Sequence, residues 1–345
     1  MTVDDSGGSP PPIDAAVPPD LQRAIGADQT VSIFDHQGFV NPGGSHDAMA
    51  MLPDGLFAKI LLHIDLGCAA GGCDPYDRIA QVGVVIPGPA TDAGPSEQFI
   101  EIGRFITPFG VKGKWDIDVT DLRPLFVGAQ KFRTTIYTYA AGGKGWTVTA
   151  SLVYTGGVPA KEAVAAVALP WASLPVGNPT MQTTDAALPP TKVTLPAGVT
   201  SSAVRLFVTG HGQGNAANCA EFCDLNHSVL VDGKLIVSQS IYRTDCDQNP
   251  LNRQLGTWQA PREGWCPGED VTPWLVDLGA RTGTFTVSYG DPTVNMGGVD
   301  MPYVNTCQPN NCIQRSCAFG NPCAYDGGSH TDPNFAVTAV VIGYR

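Results

Sequence analysis

The chain has 345 residues, a net charge of -12 and a charged fraction of only 15%, enough length for two domains of ordinary size. An acidic chain without clustered Lys and Arg argues against a nucleic-acid partner, and no apolar run is long enough for a membrane-spanning helix. With 40 Gly and 29 Pro, the composition suits a β-rich fold with many turns and disfavours a helical one.

The first 28 residues, opening MTVDDSGGSPPPIDAAVPPD, are acidic and Pro-rich, which predicts a solvated, disordered tail. No secretory signal is legible there, yet ten cysteines predict an oxidising compartment. The expectation is a secreted, periplasmic or cell-surface protein whose leader peptide has been removed or lies upstream.

Period-two segments follow. In RIAQVGVVIPG, Val82, Val84 and Ile86 share one face; in KFRTTIYTYA, Phe132, Thr134, Ile136 and Thr138 share another. AVRLFVTG repeats the pattern with Val204, Leu206 and Val208. HSVLVDGKLIV sets Asp232-Gly233 between two apolar runs, a hairpin signal. TFTVSYG and FAVTAVVIGY predict further strands. WDIDVTDLRPLF and GEDVTPWLVDLG echo one another, each placing Asp-Val-Thr before a short apolar segment. Thr120 and Thr272 read as helix N-caps, with Pro273 as a first helical residue. The echo points to two similar β-domains in tandem. Antiparallel strands with few helices bury one face against a second sheet. The expected fold is therefore all-β, two tandem antiparallel jelly-roll sandwiches over 29–157 and 158–345, the second with a four-cysteine insert at about 303–328.

Several clusters can carry chemistry. GCAAGGCDPYDRIA holds Cys68 and Cys73 just before Asp77 and Arg78. A zinc site needs about four ligands, and the shortage of further ones favours a local disulfide over a zinc half-site. In the chain-entropy model a bridge over so short a loop contributes about 2 kcal/mol, against about 3 for the longer loop between Cys246 and Cys266. Asp77 and Arg78 are strand neighbours and point to opposite faces; they are either a surface pair, or a cleft carboxylate beside an arginine that supports another group. Glu221 lies between Cys219 and Cys223 in NCAEFCDLNHS, which fits a positioned acid or base, an exposed loop tip or a metal half-site joined by His227. WQAPREGWCPG places Trp258 and Trp265 around Arg262, either as aromatic faces for a sugar or as buried packing on the Cys246–Cys266 region. Cys307, Cys312, Cys317 and Cys323 allow two further bridges. No G-x-S-x-G elbow, H-E-x-x-H motif, phosphate-binding glycine loop or H-x-H copper pair is present.

CDPYDR, EIGRFITPFG with IDVTDL, CAEFC and APREGWCPG, in that order, resemble the peptide-N-glycosidase F family over about residues 55–290. The resemblance implies two jelly-roll domains with a site at their interface, and a secreted amidase that releases N-linked glycans from asparagine without metal or cofactor. It implies Asp77 as the principal acid/base, Glu221 as the second carboxylate, and Arg78 and Arg262 as supporting cations. It also implies the bridges Cys68–Cys73, Cys219–Cys223 and Cys246–Cys266, and N-linked glycoproteins or glycopeptides as partners of a monomer. Tyr139, His211, Phe222, Trp258 and Trp265 would contact substrate. The chain departs from the pattern at Tyr139, where the family carries a glutamate, at Ala141 and Phe222, where it carries tryptophans, and at His211-Gly212-Gln213, where it carries Trp-Gly-His. These departures suit a relative that binds glycans without cleaving them as the alternative. Copper monooxygenases of similar architecture are a weaker one, since the copper histidines are missing.

Overall fold

Alternation of apolar and polar residues builds the strands, and the computed structural model places them in four main sheets. It describes residues 24–88, 96–171, 173–175, 184–212, 220–222, 224–296, 299–302 and 334–345. In the first half the strands are β1 (Gln29–Val40), β2 (Gly43–Leu52), β3 (Phe57–Cys68), β4 (Ile79–Pro87), β5 (Glu97–Ile106), β6 (Gly113–Asp118), β7 (Gly128–Tyr137) and β8 (Gly145–Gly156). They pair antiparallel as β1-β8-β3-β6 and β2-β7-β4-β5. Val82, Val84, Phe132 and Ile136 lie fully buried between the two sheets, each such side chain contributing about 1.5–3 kcal/mol of transfer free energy. The tail expected over residues 1–28 falls mostly outside the described residues, and the chain is already held at Ile25, which bridges Leu56.

The second half contains β9 (Ala163–Ala168), β10 (Ser173–Pro175), β11 (Thr191–Leu195), β12 (Ser201–His211), β13 (Leu225–Val231), β14 (Lys234–Ser240), β15 (Tyr242–Arg243), β16 (Arg262–Glu263), β17 (Trp274–Gly279), β18 (Gly283–Met296), β19 (Val299–Pro302) and β20 (Asn334–Tyr344). One sheet runs β10-β20-β12-β17, with β9 on β20; the facing sheet runs β11-β18-β13-β14, with β19 on β18. Strands β15 and β16 form a separate ribbon. The protein is thus all-β, two antiparallel jelly-roll sandwiches in tandem. Between β13 and β14, Asp232 (φ 50°) and Gly233 (φ 73°) make the hairpin turn, both in the left-handed region that a type I′ turn requires. The four-cysteine insert lies outside the described residues.

The Asp-Val-Thr echo does not make two helices. Thr120–Leu125 is a short 3-10 turn in which Thr120 is already helical, and no side chain caps it. Asp118 instead accepts from the Thr120 N–H at 2.9 Å. Thr272-Pro273 leads directly into β17, the edge strand of its sheet. A proline without an N–H is tolerated at a strand start on an edge, so the helix signal was overridden there.

Strand β12 is buried on both faces, because its sheet is shared. Val204, Leu206 and Val208 enter the second core, while Ala203 joins the first core with Val340, Ile342 and Tyr344 of β20. Between the sandwiches lies a fully buried ion pair from β5. The Arg104 Nε donates to Glu101 Oε1 at 2.8 Å and its Nη2 to Oε2 at 2.7 Å. Its Nη1 donates across the seam to Thr209 Oγ1 at 2.8 Å and to the Ala336 carbonyl at 2.7 Å, and the Thr338 hydroxyl donates to Glu101 Oε2 at 2.6 Å. Backbone bonds continue the join: Val271 N–H to Arg104 O at 2.8 Å, Ile106 N–H to Glu269 O at 3.0 Å and Gly268 N–H to Ile106 O at 2.8 Å.

Removing one partner of a buried pair strands the other charge. Arg104→Ala is expected to lower stability by about 3–5 kcal/mol, whereas the joint Arg104→Met, Glu101→Leu change loses much less. Urea denaturation of both variants checks this, and an unchanged midpoint for Arg104→Ala would contradict it.

Candidate active site

Three local structures converge beside this seam: the turn leading into β4, the loop at residues 220–222, and the β15–β16 ribbon. A disulfide joins Cys68 to Cys73 at the first. Asp74 is fully buried and serves as the turn's internal acceptor, taking the Tyr76 N–H at 2.9 Å, Arg78 Nε at 2.9 Å and the Thr138 hydroxyl at 2.5 Å. Arg78 also donates its N–H to Thr107 Oγ1 at 2.9 Å, and its carbonyl accepts from Thr107 N–H at 2.9 Å. This fixes the strand entry, leaving the neighbouring Asp77 side chain to the cleft. Burial pushes the Asp77 carboxyl above its ordinary range, opposed first by the Arg262 charge and less by Arg78.

Arg262 in β16 is 1% exposed and each guanidinium nitrogen has a partner. Nε donates to Glu221 Oε1 at 3.0 Å, Nη1 to the carbonyls of Thr257 at 3.0 Å and Ala260 at 2.8 Å, and Nη2 to Thr257 Oγ1 at 3.3 Å. The guanidinium carbon sits 4.9 Å from the Trp265 ring centroid and 5.2 Å from that of Phe222. The disulfide Cys246–Cys266 closes the loop carrying β16. Glu221 is held by its own backbone, whose N–H donates to Gly212 O at 3.2 Å and whose carbonyl accepts from Glu263 N–H at 2.9 Å. Burial, then the like charge of Asp77, pushes the Glu221 carboxyl up to about 7, against the pull of Arg262 and the Gly212 N–H. Two carboxyls from different sandwiches therefore share one cleft and one arginine, with the Glu221 proton poised near neutral pH.

Behind them, His211 stacks on Trp265 with ring centroids 5.2 Å apart and bonds Thr209 Oγ1 through Nε2 at 2.7 Å. Burial and the charges of Arg104 and Arg262 push its pKa down to about 3, so the imidazole is neutral at neutral pH. Deeper still, Glu263 bonds His227 Nε2 at 2.6 Å, and His227 Nδ1 meets the Tyr289 hydroxyl. Burial pushes Glu263 up to about 9, making it a neutral acid there.

The structure redistributes several expected roles. The Arg78 guanidinium bonds Asp74 and not the Asp77–Glu221 pair, which it influences only through space. It also stacks between exposed rings, 5.3 Å from Tyr76 and 5.5 Å from Tyr139. Tyr139 is 65% exposed at this rim. Trp258 and Trp265 do not offer faces to a substrate: they are 8% and 2% exposed, and Trp265 is covered by Arg262 and His211 while its Nε1 donates to Gly210 O at 2.7 Å. Phe222 keeps 36% exposure. His227, weighed as a metal ligand, is consumed by Glu263 and Tyr289. Among the described residues no group of three or more His, Cys, Asp or Glu could hold a metal. Cys219, Cys223 and Gln213 lie outside the described residues. Tyr76, Asp74 and Glu263 were missed; only the Asp-Pro turn signal at residues 74–75 hinted at the first two.

Residues 179–307 match the family model described as peptide-N-glycosidase F, C terminal. The chain is 28% identical over 286 residues to peptide-N(4)-(N-acetyl-beta-D-glucosaminyl)asparagine amidase F of Elizabethkingia miricola, covering 76% of this chain and 78% of that protein. Its fold is similar to that of recombinant peptide:N-glycanase F, with a TM-score of 0.66 at 22% identity over 92% of this chain and 96% of the other. PNGase F from Flavobacterium meningosepticum gives 0.65 at the same identity and coverage. PNGF-II gives 0.64 at 18% identity, over 92% of this chain and 65% of that one.

Three outcomes test the site's construction. Asp77→Asn removes a like charge and is expected to lower the Glu221 midpoint from about 7, read by carbon-detected NMR titration; an unmoved midpoint would show the carboxyls to be uncoupled. Folded Glu221 holds its proton to higher pH than the unfolded chain, whose value is near 4.5. Its stabilising contribution is therefore complete below that value and lost as pH rises through about 7, a slope Glu221→Gln should remove from the stability profile. At Gly210 an added Cβ would lie 2.0 Å from Ala220 O and 2.9 Å from Glu263 Cβ. Gly210→Ala should thus displace the Glu221 loop, seen as a loss of the Arg262–Glu221 contact in a crystal structure.

Proposed function

We propose that the chain is a peptide-N-glycosidase F relative that acts as a glycoamidase, hydrolysing the amide between asparagine and the first N-acetylglucosamine of an N-linked glycan, a reading supported by the match of residues 179–307 to that family's C-terminal model and by the 28% identity over 76% of the chain. The observation that carries this reading is the convergence of Asp77 and Glu221 on Arg262 from two sandwiches, with Glu221 titrating near neutrality.

The chemistry needs water added to the amide carbonyl carbon and a proton delivered to the leaving nitrogen. The C–N bond breaks, leaving an aspartate side chain and a 1-amino sugar. A carboxyl pair whose proton affinities are raised and coupled can take the proton from water and return it to nitrogen. Asp77 is the principal acid/base, Glu221 orients it or holds the bridging water, and Arg262 supplies the fixed positive charge facing both. Arg78 acts indirectly, holding Asp74 and with it the turn that aims Asp77. Tyr76, Tyr139 and Phe222 form the aromatic rim against which a sugar ring can lie. The disulfides Cys68–Cys73 and Cys246–Cys266 fit a secreted or cell-surface enzyme. Among the described residues no helix is long and apolar enough to cross a membrane.

A second reading, glycan binding without cleavage, is favoured by one observation: exposed Tyr139 stacks on Arg78 where the family has a carboxylate.

Incubation with a denatured N-glycoprotein and mass spectrometry separates the two. Glycan release should convert asparagine to aspartate, stop in Asp77→Asn, and slow by about 10²–10⁴ in Glu221→Gln, the usual range for losing an acid/base group. Tyr139→Glu should raise the rate. No conversion by the unaltered chain across several glycan types, with glycan binding intact, would overturn the enzyme reading and establish the second.

A further inference from the structure

The seam between the sandwiches opens again at the other end of β12. His211 ends β12 at the active site, while Ser201, Ala203 and Arg205 near its start line a separate cavity of about 500 Å³. At about 3.3 Å per residue, Arg205 and His211 are about 20 Å apart along the strand. Both sandwiches build the cavity: Asp118 and Thr120 come from the first, Arg205, Asp277 and Tyr344 from the second, and Lys161 from the segment that joins them.

Its chemistry is that of a site with unused polar capacity. Arg205 is 6% exposed and lines the cavity, yet it makes no carboxylate ion pair among the described residues. Its Nη2 donates to the Asp118 carbonyl at 3.1 Å, and its Nε finds no partner. Phe207 packs on one side, 5.5 Å from the guanidinium carbon. Asp121 and Asp118 act on this guanidinium only through space, and a buried N–H left without an acceptor is costly unless something else accepts from it. Lys161 is exposed and rests 5.5 Å from the Tyr344 ring centroid, again with no ion pair among the described residues. The Tyr344 hydroxyl is engaged with Asp121. Asp118 and Asp277 are exposed carboxylates that each retain acceptor capacity beyond one local bond set, to Thr120 and to the Gly279 N–H. Leu275, 51% exposed, and Pro159 supply an apolar wall.

Three carboxylates, counting Asp121, surround two cations, which disfavours a phosphate or any polyanion. The set does suit a ligand whose groups donate and accept at once: each hydroxyl can give its proton to a carboxylate while accepting from Arg205 or Lys161. The apolar wall suits the C–H face of a sugar ring, and the volume falls in the range of small-molecule sites, roughly 300–1,000 Å³. We propose that this cavity is a second binding site, remote from the Asp77 cleft, that takes a neutral, hydroxyl-rich saccharide unit and is contacted by both sandwiches. It does not depend on whether the Asp77 cleft cleaves anything.

Saturation-transfer NMR on the full chain tests it, with methyl α-D-mannopyranoside and N-acetylglucosamine as neutral probes and N-acetylneuraminic acid as the anionic one. The Asp77→Asn, Glu221→Gln variant should retain the neutral-sugar signal. Leu275→Trp, which fills the cavity from an exposed edge strand, and Lys161→Ala should each lose it at an unchanged thermal midpoint. A soaked crystal should show the sugar against Arg205. Undiminished transfer in both cavity variants, loss of transfer in the cleft variant, no transfer from either neutral sugar at millimolar concentration, or preference for the anionic probe would each overturn the proposal.

Discussion

The structure depends on one buried interaction, the Glu101–Arg104 pair of β5, which sits in the seam where two sandwiches meet. Alone, such a pair is a weak source of stability, because desolvation of two charges offsets their attraction. Here every arm is committed: Arg104 bonds its own carboxylate, a hydroxyl of β12 and a carbonyl of β20, and Thr338 closes on Glu101. These bonds are directional and cross the seam, so they specify one orientation of the sandwiches, where apolar packing would tolerate several. The backbone ladder between residues 104–106 and 268–271 extends that orientation to the loop carrying Arg262.

The candidate site inherits its geometry from this join. Asp77 belongs to one sandwich, Glu221 and Arg262 to the other, and no local motif brings them together. Their electrostatics follow from the same placement. Burial raises both carboxyls, the like charge of Asp77 raises Glu221 further, and the Arg262 guanidinium opposes both shifts, with a smaller contribution from Arg78 at Asp77. Arg262 is itself immobilised by Thr257, Ala260, Trp265 and Phe222, so its charge is a fixed element of the cleft. The other arginine of the sequence motif, Arg78, spends its hydrogen bond on Asp74. The Asp-Pro-Tyr-Asp-Arg run thus contains one structural carboxylate, Asp74, and a second, Asp77, that lies just before β4 and not within it, so the expected strand alternation of Asp77 and Arg78 does not apply.

Most strands were legible because period-two patterning is local: β4, β7, β12 and the Asp232-Gly233 hairpin can be read from residues a few positions apart. Of the two Asp-Val-Thr segments the first starts only a short 3-10 turn at Thr120, and the second starts no helix, because capping propensity is a weak local preference and edge-strand pairing of β17 outweighed it. Trp258 and Trp265 look like exposed aromatics in a Pro/Gly-rich loop, but the loop folds back on the Cys246–Cys266 bridge and on Gly210, leaving no ring face open. Arg205, mid-strand among apolar residues, looks like an ordinary outward charge. It is buried because β12 has a core on each side.

Sequence by itself determined the all-β class, the strand periodicities and the tandem arrangement, since each rests on local spacing or on motifs intact within a few residues. Only the tertiary structure decided which carboxylate of the first turn faces the cleft, which arginine meets Glu221, which tryptophans are buried, and where a second cavity opens. Those outcomes rest on contacts between residues that are mostly tens to hundreds of positions apart, whose energies depend on burial and on the orientation of one sandwich against the other.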